Sequence, residues 1–193
     1  MNVEKQIQNI YFGGGCFWCL EAIFTNLKGV VKIVNGYAGG TSDTANYQTV
    51  STGKTNHAEI CKITYKPHII SIDILLEVFF VAHDPTQLNR QGNDIGRQYR
   101  SIMFYTNRLE KEKIENYIKK LEIEKIYQNI ETEIAPFTVF YKAEQYHQNY
   151  FKLNPNKPYC SLIINPKIQK LYPALSKAAS LVSAPQLRNM GTI

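Results

Sequence analysis

The chain has 193 residues, 44% hydrophobic and 20% charged, with a formal net charge of +6. That length and composition fit one globular domain with a real core and give no reason for disorder, and no apolar run approaches the roughly 20 residues of a membrane-spanning helix. Lys and Arg are scattered and offset by Glu, as in LEKEKIENYIKKLEIEK, so the positive charge reads as a solvated surface and argues against nucleic acid as a partner.

The opening MNVEKQIQNI is polar and lacks the apolar stretch of a signal peptide, so a cytoplasmic protein with no membrane partner is expected. Four cysteines, Cys16, Cys19, Cys61 and Cys160, are too few for a disulfide scaffold. In a reducing compartment any disulfide among them is expected to be transient and catalytic.

Ile10, Tyr11 and Phe12 predict the end of a strand. Three glycines then hand over to CFWCLEAIFTNLKG, where Leu20, Ile23, Phe24 and Leu27 recur at helical spacing until Gly29 stops them. Cys16 therefore falls at a helix N-terminus. Residues 30–34 predict a second strand, and GYAGGTSDTANYQTVSTGKTN after it has no periodicity and is long for a loop. HAEICKITY alternates as a strand with His57, Glu59, Cys61, Ile63 and Tyr65 on one face.

Ser71 can cap a helix whose stripe is Ile72, Leu75, Leu76 and Phe79, and Pro85 ends it. PTQLNRQGNDIGRQ is irregular and YRSIMFYT is a strand. The next segment, NRLEKEKIENYIKKLEIEK, is an exposed amphipathic helix with Ile114, Tyr117, Ile118 and Leu121 inward and Asn107 with Glu110 as a capping box. TEIAPFTVFY is strand-like, with Pro136 arguing for an edge or bulge, and AEQYHQNYF reads as a short last helix. The four-proline segment from Asn154 is expected to wrap the surface. Strands and helices without strict alternation point to an α+β two-layer sandwich with packed helices, and no composition shift divides residues 1–193 into two domains.

Chemistry concentrates in GGGCFWC. A thiol at a helix N-terminus feels unpaired N–H groups, which lower its pKa, and the preceding glycines let a substrate approach the backbone. A thioredoxin-like dithiol is one reading, but such motifs enclose small residues, Pro or Gly, not Phe17 and Trp18. A zinc site lacks a second C-x-x-C or C-x-x-H pair, and the glycines fit neither G-x-G-x-x-G nor G-x-x-x-x-G-K-[ST]. Taken alone, the segment is best explained by core packing, because Phe, Trp and Cys are commonly buried.

Other segments change that balance. GGGCFWCLEAIF, NGYAGG, NYQTV, TNHAEICKITY, HDPTQLNRQGNDIGRQYRSIMFY and EQYHQNYFKLNP together resemble the peptide methionine sulfoxide reductase A family, in this order, over roughly residues 10–166. On this resemblance the catalytic core is about 8–172, and 173–193 fall outside it. The family likeness implies a mixed, mainly antiparallel sheet on a ferredoxin-like core with long irregular loops. It also implies thiol-dependent reduction of the S epimer of methionine sulfoxide, in oxidised proteins or peptides or as the free amino acid. No bound cofactor and no metal are expected. Electrons come from an external thiol reductant, thioredoxin or a similar protein, or dithiothreitol in vitro, and a monomer is expected.

Residue by residue, the resemblance makes Cys16 the nucleophile that ends as a sulfenic acid, and Phe17 and Trp18 the wall for the substrate methyl. Glu59 becomes the acid that protonates the sulfoxide oxygen; its place beside Cys61 and Ile63 would desolvate it and raise its pKa. Tyr47 and Tyr99 hydrogen-bond that oxygen, and Asp94 lies near the polar end of the substrate. His147 also falls in a family motif, where a supporting role is expected over a catalytic one. Cys61 is expected to be a buried filler.

The resolving thiol is either Cys19, preferred because it lies three residues from Cys16, or Cys160 on a mobile C-terminal segment; direct reduction of the sulfenic acid is the third route. Many family members carry Gly at the position of Cys19 and a glycine-rich sequence where this chain has SLIINPK. A general dithiol-disulfide oxidoreductase and a non-catalytic methionine-sulfoxide-binding module remain the alternative functions.

Overall fold

Apolar alternation organises the sheet around β1 (Gln8–Gly13), whose Ile10 and Phe12 enter one core while Tyr11 enters another on the opposite face. The computed structural model describes residues 7–169 and 171. After β1 come α1 (Phe17–Phe24), β2 (Val30–Ala38), α2 (Tyr47–Val50), β3 (Ala58–Tyr65) and α3 (Ile72–Ala82). The short pair β4 (Arg90–Gln91) and β5 (Asp94–Ile95) precedes β6 (Ile102–Tyr105), α4 (Arg108–Ile123), β7 (Glu133–Pro136), β8 (Phe140–Lys142) and α5 (Tyr150–Leu153).

The main sheet runs β7-β6-β1-β3-β2-β8, antiparallel throughout except for the β6–β7 pair. Its centre, β6-β1-β3-β2 with α1 and α3 as crossovers, is a ferredoxin-like β-α-β-β-α-β unit within an α+β sandwich. The larger core lies between the sheet and the helices and joins Phe12, Ile63 and Met103 to Phe24, Leu76 and Phe79. On the reverse face Tyr11, Ile60 and Phe104 are covered by Phe137 and Phe140, with Tyr11 stacked on Phe137 at 4.0 Å. β3 is thus covered on both faces, and His57, Glu59 and Cys61 lose nearly all contact with water.

The caps behave as local chemistry demands. Ser71 Oγ accepts from the Ile74 N–H at 3.3 Å and Asn107 Oδ1 from the Glu110 N–H at 2.9 Å. Glu110 completes the cap one residue early, taking the Thr106 N–H at 2.7 Å instead of that of Asn107.

Three expectations are corrected. β2 reaches Ala38, because residues 36–38 pair with both β3 and β8. AEQYHQNYF is not one helix: a 3-10 turn (Gln145–His147) and α5 are separated by Asn149 at φ 53. Buried Glu21 holds the break open, accepting the N–H groups of Asn149 at 2.7 Å and Tyr150 at 3.1 Å, which otherwise have no helical partner. Nor is the segment after Asn154 a surface strap. Residues 158–169 are helical, with a π turn (Cys160–Ile164) inside them, and Cys160, Ile164 and Ile168 are buried. The four-residue spacing of those three residues outweighs the prolines. Pro158 falls in the first turn, where no N–H is needed, and the wide turn precedes Pro166, which brings none.

If this C-terminal helix is part of the core, Ile164→Ala should lower the unfolding free energy by about 2–4 kcal/mol. Leu162→Ala, at a side chain 71% exposed, should stay within about 0.5 kcal/mol. Urea denaturation followed by circular dichroism separates the two; equal small effects would detach the helix from the folding unit.

Candidate active site

The site forms where β1 turns into α1. Gly15 takes φ +84, a conformation that side chains resist, and its N–H donates to the Tyr99 carbonyl at 3.1 Å. A Cβ on Gly13 would stand 2.7 Å from the Glu59 carbonyl oxygen, so glycine there allows β1 and β3 to close. Cys16 is then the N-cap of α1, in extended conformation and 7% exposed. Its side chain caps nothing. That part is played across the sheet by Glu59, whose Oε2 accepts the Phe17 N–H at 3.1 Å.

Burial dominates the electrostatics of Glu59, which is 2% exposed. Desolvation pushes the carboxyl up to about 8 against the pull of the Phe17 N–H, so it carries a proton at neutral pH.

The thiol electrostatics depart from the expectation that the helix N-terminus would acidify Cys16. Burial raises Cys16 well above the usual thiol range, and its hydrogen bond to Cys19 and the nearby Glu59 add to the shift. Cys19 moves the other way, to about 7. It accepts the Cys16 hydrogen bond, and Lys167 and Tyr159 assist, against its own burial. The Cys19 N–H to Cys16 carbonyl bond of 3.0 Å closes the turn that pairs the two thiols. Of the two thiols, Cys19 is therefore the one that ionises first.

Lys167 Nζ stands 3.7 Å and the Tyr159 hydroxyl 3.9 Å from Cys19 Sγ. Tyr159 donates to Asp94 Oδ2 at 2.8 Å, so the carboxylate expected at the substrate's polar end is engaged by the C-terminal helix. Neither Tyr159 nor Lys167 was singled out in the sequence. Tyr159 had a faint signal as the neighbour of Cys160; Lys167, one of many scattered lysines, had none.

The aromatic residues divide. Phe17 is 1% exposed and packs between Tyr37 and His147, whereas Trp18 is half-buried, stacked on Tyr150 at 3.6 Å with Tyr159 edge-on at 5.7 Å. Tyr47 and Tyr99 are partly buried, and burial, with Glu59 and Cys16 close enough to act on both, raises their hydroxyls above the usual range. The Tyr47 N–H donates to Glu144 Oε1 at 2.8 Å, and the other Glu144 oxygen accepts the Tyr37 hydroxyl at 2.8 Å. Buried Arg100 fixes the loop behind Tyr99, pairing with Glu133 at 2.8 Å and donating to the Asn56, His57 and Arg97 carbonyls.

His147 is buried among Phe17, Trp18, Tyr47 and Tyr146. Neither ring nitrogen has a hydrogen-bond partner among the described residues, and Glu144 Oε2 lies 3.9 Å from Nε2, beyond hydrogen-bond reach. Burial lowers its pKa, leaving a neutral ring used for packing. The Cys61 thiol donates to the Phe17 carbonyl at 3.3 Å or Asn35 Oδ1 at 3.2 Å, and burial keeps it protonated. Cys160, expected on a mobile segment, is fully buried in the C-terminal helix, and burial raises its pKa as well. Among the described residues no cluster of three or more His, Cys, Asp or Glu side chains could hold a metal, and no helix is long and apolar enough to cross a membrane.

The chain is similar in sequence and fold to known proteins. A family model described as peptide methionine sulfoxide reductase matches residues 8–179. Peptide methionine sulfoxide reductase MsrA of Nautilia profundicola is 52% identical over 82% of this chain and 91% of its own length. Among solved structures, Mxr1 from Saccharomyces cerevisiae in reduced form has a TM-score of 0.75 at 32% identity, over 80% of this chain and 90% of that one. Mxr1 in complex with Trx2 is similar in fold, with a TM-score of 0.54 at 24% identity over 75% of this chain and 85% of that one. The chain belongs to the peptide methionine sulfoxide reductase family.

Proposed function

We propose that this reductase returns methionine sulfoxide to methionine through Cys16 as nucleophile, Glu59 as proton donor and Cys19 as resolving thiol. The observation that carries this reading is the buried Glu59 carboxyl hydrogen-bonded at the start of the helix that begins at the two thiols.

A sulfoxide sulfur is a poor electrophile until its oxygen gains a proton. Glu59 supplies that proton, and the Cys16 proton passes to the Cys19 thiolate that already accepts its hydrogen bond. Cys16 Sγ then attacks the sulfur; the oxygen ends on Cys16 as a sulfenic acid, and methionine leaves. Proton transfer from Cys19 back to Glu59 restores both groups. Cys19 next displaces hydroxide from Cys16 to form a disulfide, and the Glu59 proton turns the hydroxide into water. Trp18 and Phe17 form the methyl wall, the Tyr47 and Tyr99 hydroxyls hold the oxygen, and Asp94 meets the polar end once Tyr159 yields it.

A thioredoxin-like dithiol reopens the disulfide by exchange. The complex of yeast Mxr1 with Trx2 supports that partner. No bound cofactor or metal enters the cycle. The reading is completed by the S epimer as substrate, in proteins or free, and by a cytoplasmic, monomeric, single-domain enzyme that does not bind nucleic acid.

Because the acid must be protonated, kcat/KM should fall as pH rises through about 8, where Glu59 loses its proton. Glu59→Gln should lose about 10²- to 10⁴-fold and Glu59→Asp less, measured with dithiothreitol and a methyl sulfoxide peptide. Equal pH–rate profiles for wild type and Glu59→Gln would exclude Glu59 as the acid.

The recycling route is read by peptide mass spectrometry after one equivalent of sulfoxide without reductant. A Cys16–Cys19 linkage is expected, and Cys19→Ser should accumulate a Cys16 sulfenic acid trapped by dimedone. A Cys16–Cys160 linkage in the wild type would refute Cys19. A methionine-sulfoxide-binding module predicts no methionine at all, and a general dithiol oxidoreductase predicts turnover of insulin disulfides in place of sulfoxide.

A further inference from the structure

We propose that Lys167, held against Cys19 by the hydrogen bond between Tyr159 and Asp94, is a positioning residue that keeps Cys19 as the thiolate that attacks the oxidised Cys16. The proposal rests on the reading of Cys19 as the resolving thiol.

Cys19 is 2% exposed, and a thiol so far from water ordinarily keeps its proton. Before oxidation the Cys16 S–H helps hold its charge. That donor is gone once Cys16 carries oxygen, at the moment when Cys19 must attack. Among the described residues, the titratable groups acting on Cys19 are Cys16 from the N-cap of α1, Glu59 and Cys61 from β3, Asp94 from β5, and Tyr159, Cys160 and Lys167 from the C-terminal helix. Lys167 is the cation of that set, with Nζ 3.7 Å from the sulfur.

The helix is built to deliver it. Residues eight apart on an α-helix of about 3.6 residues per turn diverge by about 80°. A π turn takes nearly one residue more than an α turn, so Tyr159 and Lys167, with the π turn Cys160–Ile164 between them, are close to two full turns apart and face the same way. Tyr159, Ile163 and Lys167 accordingly line one groove with Gln91 and Asp94. The 2.8 Å bond from Tyr159 to Asp94 Oδ2 fastens that face to β5 and fixes the reach of the lysine.

Cys19 Sγ gives an electron pair to Cys16 Sγ, the S–S bond forms, the S–O bond breaks, and hydroxide leaves with the Glu59 proton as water. Lys167 makes and breaks no bond; its charge sets how much thiolate is present.

The test is quench-flow measurement of disulfide formation after mixing reduced enzyme with one equivalent of a methyl sulfoxide peptide, for wild type, Lys167→Met and Lys167→Arg. Loss of the cation raising Cys19 by about one pKa unit removes about tenfold of the thiolate below its pKa, while the more basic sulfur regains about threefold in nucleophilicity. Lys167→Met should therefore be about threefold slower near pH 6 and about threefold faster near pH 9.5, with crossing profiles, and Lys167→Arg should follow the wild type. The thiolate absorbance at 240 nm should shift upward in parallel in Lys167→Met. A uniform slowing at every pH, or rates equal to wild type, would overturn the role of Lys167 alone. A Cys16–Cys160 product in the wild type would overturn the proposal together with the reading of Cys19 on which it rests.

Discussion

The contact between Glu59 and the first N–H of α1 ties the chemistry to the fold. It joins the sheet, through β3, to the start of the helix that carries Cys16. One interaction does two jobs that pull in opposite directions. A helix N-terminus favours a carboxylate, whereas burial on both faces of β3 favours the neutral acid. Burial is the larger effect here, and the result is an acid that offers a proton at neutral pH while still capping the helix. Gly13 and Gly15 matter because they let the strands and the turn come close enough for that contact.

The same comparison of magnitudes explains why the two thiols are unequal. The first turn of a helix contributes about 0.3–1 kcal/mol to a nearby anion, less than one pKa unit. Complete burial can move a titratable group by up to about 3–5 units, so Cys16, beside Glu59, keeps its proton. Cys19 is equally buried but faces a donor thiol, a tyrosine and a lysine, and the charge moves one turn along the helix to it. In the role proposed for Cys16, a thiol that is protonated at rest is suited to a site where proton donor, proton acceptor and substrate oxygen must all be in place before sulfur attacks.

Much of this was legible in the sequence because it is local. Alternation in HAEICKITY placed Glu59 on a desolvated face, and the glycines followed by Leu20, Ile23 and Phe24 located the helix that begins at Cys16. The unread parts depend on partners far along the chain. Glu21 breaks the 145–153 segment from more than a hundred residues away, satisfying N–H groups that no local pattern reveals. The C-terminal helix was hidden by its prolines, which are tolerated at the first turn and beside a wide one. Lys167 meets Cys19 across 148 residues of sequence, and a single lysine carries no periodic mark. The resemblance that suggested the site was silent here too, since it is at Cys19 and after Cys160 that this chain departs from the commoner family pattern.

Charge conservation gives the proposed cycle its coherence. Making water from a sulfoxide oxygen takes two protons. In the proposed cycle one comes from Cys16 and one from Glu59, both of which burial holds protonated, while Cys19, lowered to about 7 and facing Lys167, holds the charge of the thiol pair. After the disulfide forms, both protons have left with the oxygen and the single negative charge is on Glu59, which faces the Phe17 N–H and the positive end of α1. At either end of the cycle the set of Cys16, Cys19 and Glu59 thus carries one negative charge, and each location of that charge has its own compensating group. The thioredoxin-like reductant then returns two electrons to the disulfide, and protons from solvent restore Glu59 and Cys16. Lys167 and the π turn that aims it enter this cycle through Cys19, the residue that holds the resting charge.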